Sequence, residues 1–349
     1  MKPSPNSLAI LASAGSRKTT QLVELALELA PKRVLLTTYT RENLDQIRTY
    51  LTDRHGCVPP HVTLRSWYTF LLQDGVRPYQ RSVSSGRRAQ SIKFGILDEG
   101  FRKKIGKANV DAYYFTKRRS IYQDRAADFV HAVNTASGGR VVKRLERLYE
   151  AILIDEVQDM SGWDLDILDR LLESTIRVVV VGDHRQATYS TNHSQRNSQF
   201  KGAGIAKWFR DPKRSERIAV EERTECFRCN QEICTFADRL FPDEKPAVSQ
   251  RKDTTGHDGI VSITRSEVPG YVEKYNPMVL RWNRTSNTMG LPAMNIGAAK
   301  GKTFARVLIF PTKPMLKYLK TKKPSDAGSL EKLYVAVTRA EHSVAFVKD

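Results

Sequence analysis

The chain has 349 residues, 40% of them hydrophobic, which is enough for two or three domains with buried cores. No apolar run is long enough to span a bilayer as a helix, so a membrane partner is not expected. Lys and Arg outnumber Asp and Glu by 57 to 38, and a net charge of +19 calls for a polyanionic partner, nucleic acid above all.

The opening "MKPSPNSLAILASAG" has the ingredients of a short signal peptide, but the apolar run "LAIL" is too short for one and is read as a first buried strand. Next comes the loop "LASAGSRKTT" (11–20), then "TTQLVELALELA" with helical spacing at Leu22, Leu25, Ala26 and Leu29. "RVLLTTYT" (33–40) reads as a strand and "RENLDQIRTYLTDR" as an amphipathic helix. "HVTLRSWYTFLL" (61–72) reads as a strand turning into a helix. This β-α-β-α-β order predicts a parallel sheet with helices on its faces.

Residues 73–148 break the rhythm and are expected to form a helical insertion, with "SVSSGRRAQS" and "FRKKIGK" as loops or helix edges and "FTKRRSIYQDRAADFVHAV" as helix. Residues 76–149 hold 17 Lys and Arg against 6 Asp and Glu, a balance of +11, so over half of the net charge is clustered there. Such clustering favours a binding surface over evenly spread solubilising charge. The sheet then resumes with "EAILIDEVQDM" (150–160) and "IRVVVVGDHRQATY" (176–189), apolar runs ending in acidic or polar residues.

"RDPKRSER" (210–217) reads as an exposed hinge. A second α/β half follows, with "IVSITR", "PMVLRW", "AMNIGAAKG", "FARVLIFPT" and "HSVAFV" as strands and "NQEICTFADRLF" and "SLEKLYVAVTRA" as helices. The four cysteines, Cys57, Cys226, Cys229 and Cys234, are too sparse for a disulfide framework and point to a reducing, cytoplasmic setting.

Two stretches carry chemistry. In "LASAGSRKTT" a strand-to-helix turn would surround phosphates with backbone N–H groups from Ala14, Gly15, Ser16, Arg17, Lys18, Thr19 and Thr20. Lys18 would reach the β- and γ-phosphates and Thr19 would ligate Mg²⁺. The pattern is imperfect, because Ala12 and Arg17 stand where such loops keep glycine. In "ILIDEVQDM" a strand delivers Asp155, suited to hold Mg²⁺, and Glu156, suited to deprotonate the attacking water. An ordinary solvated strand end is the alternative.

The segments "ASAGSRKT", "LIDEVQDM", "VVGDHRQATY", "ECFRCN", "AAKGKTFARVLIF" and "LYVAVTRA" resemble, in order and nearly in wording, the motifs of superfamily 1 helicases of the UvrD/Rep-like kind. The resemblance runs from about residue 8 to 347, with 73–148 and 240–275 unmatched. It implies two RecA-like domains, residues 1–72 with 149–222 and residues 223–349, and a basic insertion at 73–148. It also implies ATP hydrolysis with Mg²⁺ in a cleft between those domains, and 3′ to 5′ movement on single-stranded or partly duplex DNA, with RNA and an added protein partner left open.

The same resemblance assigns roles. Gln186 would sense the γ-phosphate, and Arg228 and Arg339 would be arginine fingers. Phe227 would stack on the adenine, and Gly301 lies in a nucleotide-side segment. Tyr39, Thr40, Ser66, Trp67, Tyr189 and Lys300 would contact nucleic acid. Tyr39 and Trp67 fit core aromatics equally well. Arg281 and Asn283 resemble a further strand end of the family.

Three features depart from the pattern. The glutamine segment that reads adenine ahead of the first strand is not seen, and Thr303 replaces a glutamate. Only 73 residues separate Arg228 from Gly301, too few for a large accessory domain, so a compact motor core is expected. A zinc site at Cys226, Cys229, Cys234 and His257 would compete with the nucleotide residues among them. The competing reading of the whole is a binding module with a degenerate phosphate loop and no turnover. A small-molecule P-loop kinase would leave "VAVTRA" and "GDHRQATY" unexplained.

Overall fold

The computed structural model describes residues 6–86, 88–95, 97, 105–188 and 194–348. Contacts divide the chain into two compact units. One holds the described residues of Met1–Leu11, Lys18–His184 and Tyr189–Glu221; the other holds Ala12–Arg17, Arg185–Thr188 and the described residues of Glu222–Asp349. By this division the phosphate-type loop groups with the second unit and the helix after it with the first.

In chain order the first unit begins with β1 (Ser7–Ala12), the helix Lys18–Glu28, β2 (Val34–Thr38), the helix Arg41–His55 and β3 (Val62–Ser66). Val34, Leu35 and Leu36 are all buried, as expected of a strand covered on both faces. The helix Arg41–His55 starts on Thr40, whose side chain accepts from Asn43 N–H, and stops at Gly56 with φ 81°.

Residues 73–148 are less uniformly helical than expected. A two-stranded parallel pair, β4 (Ser91–Lys93) and β5 (Ser120–Tyr122), precedes the helices Ala126–Ala136 and Arg140–Leu148. The segment 115–122 is therefore not helix. A turn closed by Arg119 N–H to Thr116 C=O, with Arg119 at φ 60°, ends any helical path, and Ser-Ile-Tyr then pairs as a strand. Of "FRKKIGK", 101–104 lie outside the described residues.

The main sheet resumes with β6 (Ala151–Ile154), β7 (Arg177–Gly182) and β8 (Ile218–Arg223), giving the strand order β3-β2-β6-β7-β1-β8. The pairings β1–β7, β2–β3, β2–β6 and β6–β7 are parallel. Residues 210–217 are mostly exposed, as expected, and lie within the first unit, which runs on to Glu221. Arg214 donates to both oxygens of Asp169, at 2.8 Å each, and lies 3.9 Å over the Trp208 ring, which fastens the segment to the first unit.

The second unit has a short pair, β9 (Glu225–Cys226) and β10 (Val248–Ser249), and a five-stranded parallel sheet. Its strands are β11 (Gly259–Thr264), β12 (Met278–Arg281), β13 (Met294–Asn295), β14 (Phe304–Phe310) and β15 (Ala340–Lys348), in the order β11-β15-β14-β12-β13. "AMNIGAAKG" is strand only at Met294–Asn295 and then a 3-10 turn, Ile296–Ala299. The helices Gln231–Asp238 and Leu330–Val337 cover the sheet, with Ile233, Leu333 and Val337 fully buried. Both units are thus α/β with parallel sheets, the RecA-like class.

Candidate nucleotide and nucleic-acid sites

In the first unit the chemistry sits just after the strands. The helix Lys18–Glu28 starts with Lys18, which is buried, and Thr19 Oγ1 donates to Asp155 Oδ2 at 2.7 Å. Asp155 follows β6 and is 1% exposed. Burial and the adjacent Glu156 push its carboxyl up to about 7, against the pull of Thr19 and Lys18. A carboxylate held there without a cation is costly, and a divalent ion on Asp155 and Thr19 would compensate it.

Glu156 adopts a left-handed backbone, φ 57°, which disfavours a side-chain-bearing residue by about 1–2 kcal/mol. Its carboxylate accepts from Gln158 Nε2, while Gln158 Oε1 accepts from Asp183 N–H at 3.1 Å. Gln158 was not among the sequence candidates. Its place in "DEVQD" gives no sign of this role, because only the 3-10 turn Val157–Asp159 folds it back onto Glu156.

In the second unit the loop residues and the arginines come together. Gly15, at φ 76°, accepts from Phe227 N–H at 2.9 Å, and a Cβ on Gly15 would lie 2.6 Å from Arg228 Cβ. That position therefore needs glycine twice over. Ser16 Oγ is buried with no hydrogen-bond partner among the described residues, and Ala14 N–H donates to Tyr334 Oη at 3.3 Å. Arg17 takes φ 60°, the region where glycine is favoured, and its guanidinium lies 4.2 Å over the Phe227 ring. A cation–π contact of about 0.5–1 kcal/mol offsets part of that strain.

Arg339 is 1% exposed and fully engaged: it donates to Val335 C=O at 3.1 Å, Lys302 C=O at 3.3 Å and Gln186 Oε1 at 2.9 Å. Arg228 donates to Thr338 C=O at 3.2 Å. Both guanidinium groups are thus anchored at the carboxyl end of the helix Leu330–Val337, where the helix dipole favours cations. Arg185, not singled out from sequence, lies 5.0 Å over the Tyr334 ring and 3.5 Å from Asp238. Gly301 follows the turn Ile296–Ala299 at φ 81°, and Lys300 caps it. Arg281 donates to Asn295 at 3.1 Å, and Asn283 organises a local turn with Thr285 and Ser286.

The three second-unit thiols are buried, and Cys226 Sγ accepts from Cys229 N–H at 3.3 Å. His257 is not with them; it bonds Tyr271 Oη at 2.9 Å and stacks on Tyr275 at 3.9 Å. Among the described residues no group of three or more His, Cys, Asp or Glu side chains could hold a metal ion.

Of the nucleic-acid candidates, Tyr39, Thr40 and Ser66 line a groove of about 780 Å³ on the first unit. Trp67 is instead a core residue. It is 0% exposed and its Nε1 donates to Asp164 at 2.8 Å, so the ring has no face for a base. Tyr189 lies outside the described residues.

A pair of parallel α/β units, with a phosphate-type loop after β1 and acids after β6, defines a P-loop fold. Residues 90–200 match the family model of the UvrD/REP helicase N-terminal domain. This span takes in 90–148, which the motif resemblance alone leaves out. The fold is similar to that of arterivirus nonstructural protein 10, a helicase, with a TM-score of 0.52 at 15% identity over 98% of this chain and 59% of that one. A structure of arterivirus nonstructural protein 10 with DNA gives 0.50 at 16% identity over 98% and 61%. This chain spans about three fifths of those helicases' length. No curated protein matches it. Over residues 90–200 the chain is similar to the UvrD/REP helicase N-terminal domain, and its fold is similar to that of the arterivirus proteins. Among the described residues no helix is long and apolar enough to cross a membrane.

Proposed function

We propose that this chain is an ATP-hydrolysing motor core that moves on, and separates, strands of nucleic acid. The observation that carries this reading is the bond from the loop's Thr19 to the buried Asp155. It joins the two stretches that sequence alone left 136 positions apart. Mg²⁺ held by Asp155 and Thr19 would offset phosphate charge. Lys18 binds the β- and γ-phosphates, and Glu156, kept in place by Gln158, takes the proton of the attacking water. Arg228 and Arg339 stabilise the charge that develops on the transferring group, and Gln186, already on Arg339, reports the state of the γ-phosphate.

An arterivirus helicase of the same fold has been solved with DNA, which supports a nucleic-acid partner here. Single-stranded DNA and 3′ to 5′ movement rest on the motif resemblance. Steady-state ATP hydrolysis with and without single-stranded DNA tests the proposal, with Lys18→Ala and Glu156→Gln as controls. Stimulated hydrolysis lost in both variants is the expected result. No stimulated hydrolysis in the unaltered protein would favour a binding module without turnover.

A further inference from the structure

Phe94 is the most exposed large hydrophobic side chain named among the described residues, at 57%. A single exposed ring is ordinary on a protein surface. This one differs in where it stands and in how it is held. It lines the same groove of about 780 Å³ as Tyr39, Thr40 and Ser66. It follows β4 directly, and β4 is paired to β5 through Ser91–Ser120 and Lys93–Tyr122. The ring meets Tyr68 at right angles, 5.5 Å between centroids.

One side chain fixes both partners. Gln123 Nε2 donates to Tyr68 Oη at 2.9 Å, and Gln123 Oε1 accepts from Gly95 N–H at 3.1 Å. The ring is thus preorganised while more than half of it stays open to solvent. Around it the groove offers hydroxyl and amide groups, and among the described residues the charges lining it are Arg41 and Arg77 against one acid, Glu42. Arg77 is fixed by the carbonyls of Ala89 and Gln90 at 2.9 and 2.6 Å.

A rigid exposed ring beside hydroxyls and guanidinium groups suits a chain of alternating flat faces and phosphates. That is a single-stranded nucleic acid, because a duplex hides its base faces. We infer that Phe94 is a base-stacking platform for single-stranded nucleic acid lying in this groove, an inference that rests on the nucleic-acid reading above. The β4–β5 pair then serves to present that ring.

The test is fluorescence anisotropy with labelled oligothymidylate and with an abasic oligomer of equal length. Phe94→Ala should weaken oligothymidylate binding at least about fivefold, as expected for one lost stacking contact. The abasic oligomer should bind the variant as it binds the unaltered protein, and Phe94→Trp should restore the thymidylate affinity. Unchanged thymidylate affinity in Phe94→Ala would overturn the inference. So would an equal loss on both oligomers, which would mean that Phe94 shapes the groove rather than holding a base. Failure of the unaltered protein to bind either oligomer would overturn the nucleic-acid reading itself, and this inference with it.

Discussion

The two units hold their candidate groups at opposite ends of a helix. In the first unit the acids Asp155 and Asp183 follow β6 and β7, and Asp155 accepts from Thr19 at the amino end of the helix Lys18–Glu28. In the second unit Arg339, ahead of β15, and Arg228, after β9, lie at the carboxyl end of the helix Leu330–Val337. The helix dipole makes sense of both choices. A helix amino end offers N–H groups and positive charge, which suits phosphate. A helix carboxyl end offers carbonyls, which hold the Arg339 and Arg228 guanidinium groups in fixed orientation. One fold class can therefore set out anion-binding or cation-holding groups, according to which helix end is used.

A large expected effect on rate breaks the second half. Arg339→Ala should lower kcat for ATP hydrolysis by roughly 10³-fold with ATP affinity little changed. Thermal melting must be followed in parallel, because the change leaves the Val335 and Lys302 carbonyls without their donor. Arg339→Lys keeps the charge but not the fork, and should recover stability before it recovers rate. An unchanged kcat in both variants would end the assignment.

Breaking the first half should separate stability from activity. Asp155→Asn should abolish hydrolysis yet raise the melting temperature of the metal-free protein, since it removes a buried charge. The pH dependence carries the same signature. The Asp155 carboxyl titrates near 3.8 when exposed and about 7 in the fold, so between those values the folded form holds a proton that the unfolded chain has lost. The stabilising contribution is full below that window and is lost as pH rises through it. Metal-free stability should fall accordingly in the unaltered protein, and this component of the slope should be missing from Asp155→Asn. Melting curves across that range decide it.

The smallest effect sharpens the comparison at the loop. Arg17→Gly relieves left-handed strain of about 1–2 kcal/mol. It also loses a cation–π contact of about 0.5–1 kcal/mol and adds unfolded-state freedom worth about 0.5–1 kcal/mol. Denaturant midpoints should therefore scarcely move. A clear destabilisation would show that Arg17 holds the loop to Phe227 more firmly than an exposed contact of this kind usually does.

The loop and the acids after β6 could be singled out by residue type and spacing, whereas the roles given to the two arginines came from the motif resemblance. Either stretch alone also fits an ordinary strand end or turn, and the bond from Thr19 to Asp155 is what joins them. The insertion was less legible. Its positive charge reads as a surface, yet Arg125 lies 3.8 Å over the Tyr113 ring, Lys107 pairs with Asp128 at 2.8 Å and Arg119 with Asp111 at 2.8 Å. These cations hold the insertion together. Nothing in a string of Lys and Arg separates such residues from those that face a ligand.

Composition and order determined that this is a basic α/β protein with parallel sheets and a phosphate-type loop, because hydrophobic period and charge are local properties of the chain. Tertiary structure alone decided that Trp67 is core and Phe94 exposed, since two aromatic residues at strand ends look alike until their neighbours are known. It also decided the standing of Arg17. Its sequence position shows only a missing glycine, while the backbone at φ 60° and the Phe227 ring beneath its guanidinium show how the chain accommodates the substitution.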